Sequence, residues 1–169
     1  MKIFYIDIEK AKKIIGKKKL CQYADIELKT EKRFYEYTLG RYLIKNVAKK
    51  NYNIDDEIII NKNGKPEFKN GEIYFSLSHS KNFIVACFDK NPCGIDIEFM
   101  KKRNLKELSE YYRQNFETIE DFYNVWTMNE AEYKLGQKAK FYKIFKIENY
   151  CLAAVSSKRL NKINLINFI

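Results

Sequence analysis

Two apolar runs, residues 83–88 and 94–99, flank the turn Asn91-Pro92, and the second carries Asp96 and Glu98 two positions apart. Both runs read as strands. Side chains at i and i+2 of a strand share a face. Ile95 and Ile97 therefore belong to a core, while the two carboxylates stand side by side opposite them. Like charges that close repel unless a cation or a proton neutralises them. A fold built on this strand must bring a counter-charge to it or let its end run into solvent.

The rest of the chain supplies elements around that strand. KIFYIDI, at 2–8, reads as a strand, followed by a basic segment through Lys19. Thr30 can cap a helix with Tyr35, Leu39, Tyr42, Leu43 and Val47 at three- and four-residue spacing, running to about Lys50. An apolar run at 57–60, the turn Asn63-Gly64-Lys65-Pro66 and the strand pair IYFSLSHS and FIVACFD follow. Asn104, with Glu107 three residues on, starts a helix through about Phe116. Thr118 and Asp121 start another, with Phe122, Val125, Trp126 and Tyr133 on one buried stripe. FYKIFKIEN, YCLAAVSS and INLINFI return to extended patterns. The order predicts an α+β fold of two similar lobes in one chain, 1–90 and 91–169. A Phe-Tyr pair in both Thr-capped helices, Phe34-Tyr35 and Phe122-Tyr123, echoes the duplication.

The formal charge of +10 points to a polyanionic partner without choosing among nucleic acid, a phosphorylated cofactor, an acidic protein or an anionic membrane. No G-x-x-x-x-G-K-[ST] loop or RNA-recognition signature is present, so nothing beyond charge speaks for a nucleotide P-loop or for nucleic acid. The four cysteines form no C-x-x-C pair and read as small, reduced hydrophobes. With no signal-peptide core and no apolar stretch long enough to span a bilayer, the chain is expected to be cytoplasmic.

Glu130 and Lys134, four apart on the last helix, read in two ways. With Trp126 at the centre of the buried stripe, Lys134 faces solvent and the two form an exposed ion pair worth a few tenths of a kcal/mol, on the order of 0.2–0.5. Alternatively, Glu130 is a third acid approaching Asp96 and Glu98, and three carboxylates suit a hard cation such as Mg²⁺ that also takes phosphate oxygens. His79, the single histidine, falls on the face of Ile73, Phe75 and Leu77, opposite Ser76, Ser78 and Ser80. It reads either as a satisfied strand-end histidine or, with the serines, as a donor set for phosphate. Lys65, on its short turn, can reach a phosphate as well.

Gly94-Ile95-Asp96-Ile97-Glu98 and Trp126-Thr127-Met128-Asn129-Glu130-Ala131-Glu132-Tyr133-Lys134, with Ser78-His79-Ser80 and Gly64-Lys65-Pro66 upstream, resemble the signature of the 4'-phosphopantetheinyl transferases of the surfactin-synthetase-activating type. The resemblance covers about residues 30–135. It implies a pseudo-two-fold fold with the active site at the lobe interface. It also implies transfer of the 4'-phosphopantetheine arm of coenzyme A to a serine of an acidic acyl or peptidyl carrier protein, in fatty-acid or nonribosomal-peptide assembly, by a monomer with no nucleic-acid or membrane partner. On that basis Asp96, Glu98 and Glu130 hold Mg²⁺ (or Mn²⁺), Glu130 accepts the serine proton, and Lys134 stabilises pyrophosphate charge. Lys65, Pro66, Ser78 and His79 line the 3'-phosphoadenosine end, and Lys32 and Arg33 are further phosphate candidates. Two features depart from the pattern: Asn129 stands where the signature has lysine, and the chain is short for the type. The alternative is a non-catalytic coenzyme A or carrier-protein binding module.

Overall fold

The computed structural model describes residues 1–159 and 162–169. The elements run β1 (Lys2–Asp7), α1 (Ile8–Ile14), α2 (Lys17–Cys21), α3 (Glu31–Tyr52), β2 (Ile58–Ile60), β3 (Pro66–Phe68), β4 (Tyr74–Ser80), β5 (Phe83–Asp89) and β6 (Cys93–Phe99). They continue with α4 (Leu105–Tyr112), α5 (Ile119–Leu135), β7 (Phe141–Ile147), β8 (Tyr150–Ser156) and β9 (Asn164–Asn167). One sheet has the order β4-β5-β1-β9 and a second the order β6-β8-β7; β2 and β3 form a separate hairpin. All pairings are antiparallel except β1 with β9. The last strand thus returns to the first sheet. The α+β expectation holds.

Packing produces four layers. Leu39, Leu43 and Val47 of α3 meet Phe4, Ile6, Ile84 and Phe88 on one face of the first sheet. Its other face, through Ile3, Val85 and Cys87, packs on Ile95, Ile97, Leu152 and Ala154 of the second sheet. The outer face of the second sheet receives α5, with Ala131 and Leu135 against Ala153 and Val155. β5 and β8 are covered on both sides, which is why each reads as a continuous apolar run and not as an alternation.

The helix starts follow their predicted caps. The hydroxyl of Thr30 accepts from the Arg33 N–H, and Thr118 and Asp121 cap each other reciprocally. Two expectations need correction. The helix begun at Asn104 stops at Tyr112, closed by Arg113 in the left-handed region (φ 52°), and Phe116 packs from the following loop. On α5 the inward positions are Phe122, Tyr123, Thr127, Ala131 and Leu135; Trp126 is only partly buried and Tyr133 is 79% exposed. The stripe is rotated because the helix is seated through its small residues, where it comes closest to β6.

Candidate active site

That close approach depends on Gly94. A Cβ at this position would stand 2.0 Å from the Ala131 carbonyl oxygen and 3.0 Å from the Leu135 nitrogen. Only glycine lets the helix backbone lie directly on the strand. With the helix so close, the long side chain of Lys134 turns inward. Its Nζ donates to Asp96 Oδ1 at 2.7 Å, across the α5–β6 contact. The exposed Glu130–Lys134 pair is therefore not the arrangement found; among the described residues Lys134 pairs with Asp96, and Glu130 has no ion-pair partner.

Asp96 is 4% exposed. Its Oδ1 also accepts from the Ser78 hydroxyl at 2.7 Å, whereas Oδ2 is buried with no partner among the described residues. A buried carboxylate oxygen left unpaired costs free energy, about 1–3 kcal/mol or more. Glu98, on the same face, accepts from Ser80 at 2.9 Å. Burial raises its pKa and the Asp96 charge adds to the effect, while hydrogen bonds from Ser80 and Trp126 and the charge of Lys134 oppose it. An oxygen awaiting a partner beside a second carboxylate suits a hard cation. Among the described residues, however, no group of three or more His, Cys, Asp or Glu side chains is gathered closely enough to ligate one. Asp96 and Glu98 are together, and Glu130 stands apart from them.

Two recesses flank these acids. A cleft of about 1090 Å³ is walled by Glu130, Lys134 and the exposed Asn129 on one side and by Lys65 and Pro66 on the other. The Asn61 side chain shapes the Lys65 turn by accepting from the Asn63 and Lys65 N–H groups, and Gly64 takes φ 77°. Lys65 Nζ then reaches the Cys93 carbonyl at 3.2 Å. The smaller recess, about 260 Å³, is lined by Glu98, His79, Lys32, Glu36, Lys81 and Arg103, among others. His79 lies on the Phe75 and Leu77 side of β4, as alternation predicts, with Nδ1 3.6 Å from Glu36. Burial lowers its pKa; Glu36 opposes this, and Arg33, Lys134 and Lys32 reinforce it, so the imidazole is neutral at neutral pH. Lys32 pairs with Glu36 at 3.7 Å.

Sequence reasoning missed Glu36, Lys81 and Arg103 in this setting, read Ser80 only as part of a phosphate donor set, and placed Trp126 at the centre of the buried stripe, where it is only partly buried. The Lys32/Glu36 spacing and the alternating serines of β4 were the available signals.

No protein-family profile matches the chain. Curated relatives do. It is 28% identical over 133 residues to the 4'-phosphopantetheinyl transferase gsp of Aneurinibacillus migulanus, covering 71% of this chain and 56% of that protein. It is 34% identical over 118 residues to psf-1 of Bacillus pumilus, covering 62% and 51%. With Sfp of Bacillus subtilis it shares 28% over 107 residues, covering 55% and 48%. Both of these also carry the name 4'-phosphopantetheinyl transferase. The chain spans about half the length of the curated relatives it matches. The resemblance drawn from the short motifs thus extends to comparison along most of the chain.

Proposed function

We propose that the chain transfers the 4'-phosphopantetheine group of coenzyme A to a serine of an apo acyl or peptidyl carrier protein, releasing adenosine 3',5'-bisphosphate. One observation carries the proposal: the Lys134–Asp96 pair at the α5–β6 contact, with Glu130 one helical turn away on the wall of the same cleft. Phosphoryl-type transfer needs charge stabilisation at the pyrophosphate and a base near the nucleophile. In the proposed step the serine oxygen bonds to the phosphorus bearing the pantetheine arm. The pyrophosphate P–O bond breaks, and the adenosine bisphosphate leaves with the electron pair. Glu130 takes the serine proton, and the Lys134 ammonium stabilises the charge gathering on the leaving phosphate.

Asp96 and Glu98 would hold Mg²⁺ or Mn²⁺, which supplies charge neutralisation at the pyrophosphate. The unpartnered Oδ2 of Asp96 supports this. Glu130, which stands apart from that pair in this structure, would have to move toward it to serve as third acid. Lys65 and Pro66, on the cleft wall, serve the 3'-phosphoadenosine end, as do Ser78 and His79 on β4, although His79 lines the smaller recess in this structure. The net charge of +10 suits a polyanionic cofactor and an acidic carrier. We read the protein as two lobes, 1–90 and 91–169, with β9 crossing back to the sheet of the first, acting as a cytoplasmic monomer; four free thiols agree with a reducing compartment.

The test is incubation with coenzyme A, Mg²⁺ and a panel of apo carriers. One carrier serine gains the phosphopantetheine mass, and Glu130→Gln abolishes the gain with the fold intact. No gain with any carrier overturns the proposal. Coenzyme A binding without transfer identifies the non-catalytic module instead, the reading that the exposed Asn129 favours.

A further inference from the structure

The edge strands of the two sheets, β4 and β6, meet without a backbone ladder between them. Three serine hydroxyls take its place. Ser76 Oγ accepts from the Ile95 N–H at 3.2 Å, Ser78 from Ile97 at 3.4 Å and Ser80 from Phe99 at 3.0 Å. The match is one of periods. Side chains on one face of a strand repeat every second residue, and so do the outward N–H groups of an edge strand. A row of serines at i, i+2 and i+4 can therefore satisfy a neighbouring edge donor for donor.

A hydroxyl that accepts still has one proton to give. Ser78 gives its proton to Asp96 Oδ1 and Ser80 to Glu98 Oε2, at 2.7 and 2.9 Å. Ser76 makes the same backbone contact but donates to neither carboxylate. We infer that Ser78 and Ser80 are positioning residues of the transfer site: each fastens β6 to β4 and pins one oxygen of the adjacent acid, so that the remaining oxygen faces a cation in a fixed direction. For Asp96, both Ser78 and Lys134 bind Oδ1, and it is Oδ2 that is left without a partner. Ser78 and Ser80, read from sequence as phosphate donors, have their protons committed to Asp96 and Glu98 instead. The inference rests on the transferase reading for the identity of the cation.

Ser76 supplies the internal comparison, since removing it breaks the strand contact and spares the acids. Mn²⁺ affinity, measured by electron paramagnetic resonance with the metal alone, is compared across the wild type, Ser76→Ala, Ser78→Ala and Ser80→Ala. Loss of a hydrogen-bonding partner to a metal ligand weakens binding about 10–100-fold. Ser78→Ala and Ser80→Ala fall by about tenfold or more, Ser76→Ala stays within about twofold, and Ser80→Thr, which keeps the hydroxyl, restores binding. Amide exchange at Ile95, Ile97 and Phe99 quickens in the matching variant, reporting the fastening itself. Ser80 is only half-buried, so the Ser80 and Ser76 pair decides the matter should Ser78→Ala not fold. Three variants equally weakened, or equally unaffected, overturn the positioning role alone. A wild type that binds no Mn²⁺ overturns the cation-site reading and this inference with it.

Discussion

Replacing Gly94 by alanine tests the idea that one backbone contact sets the site. The added Cβ would sit 2.0 Å from the Ala131 oxygen, whereas a carbon–oxygen contact settles near 3.3 Å, so α5 must retreat by about 1.3 Å. Overpacking of this kind costs about 1–3 kcal/mol. The obstacle is helix backbone, which cannot rotate aside, so the upper end applies. Relief of glycine's conformational entropy in a strand returns about 0.5–1 kcal/mol. The net is about 2 kcal/mol, a fall in Tm of about 4–8 °C for a chain of this size. A retreat of this size also lengthens the 2.7 Å Lys134–Asp96 bond, and a misplacement of about 1 Å can cost 10²-fold in rate. Gly40→Ala is the control. Its Cβ meets only the flexible Leu77 Cδ2, at 3.0 Å, and it gains up to about 1 kcal/mol in helix propensity, so stability holds or rises. Thermal and urea unfolding read both variants. Gly94→Ala melting within about 1 °C of wild type would refute the reasoning. So would rescue by Ala131→Gly, because the clash is with the Ala131 backbone, which that change leaves in place.

Lys134→Met removes the partner of a buried carboxylate and is expected to cost about 3 kcal/mol, the low end for a buried pair because the lysine is partly exposed. Mg²⁺ then raises the Tm of Lys134→Met more than that of wild type; an equal rise argues against cation binding at Asp96. Tyr52, held chiefly by burial, has its pKa pushed up to about 12. A raised phenol pKa stabilises the fold below the ordinary tyrosine range and loses that contribution as pH climbs from about 10 through about 12. Tyr52→Phe should flatten that part of the pH–stability curve, read by urea unfolding against wild type. Arg113 closes α4 at φ 52°, a conformation glycine adopts freely, so Arg113→Gly is expected to stabilise by about 0.5–1 kcal/mol, seen as a raised urea midpoint.

How much of this was legible depended on whether an interaction is periodic along the chain. Strands, caps and the sheet-facing residues of β4, β5 and β6 repeat locally, and their pattern survives in sequence. The serine row was visible too, as three serines at every second position, but its partner strand lies beyond a hairpin and a turn. Alternation showed which face the serines occupied, not what waited there. The error on α5 has the opposite origin. Aromatic size is a misleading mark of burial here: it puts Trp126 and Tyr133 inward and Lys134 outward. The true seam is marked by the smallest residues, Gly94 and Ala131, because distance between backbones decides which long side chain can reach Asp96. Once that distance is set, the signature letters acquire separate duties. Gly94 admits the helix, Lys134 neutralises Asp96 through it, and Ser80 holds Glu98 from β4. The like-charge problem posed by Asp96 and Glu98 is thus met from two sides, a cation from α5 and two hydroxyls from β4. That combination leaves Asp96 Oδ2 as the one unsatisfied position among the described buried side chains.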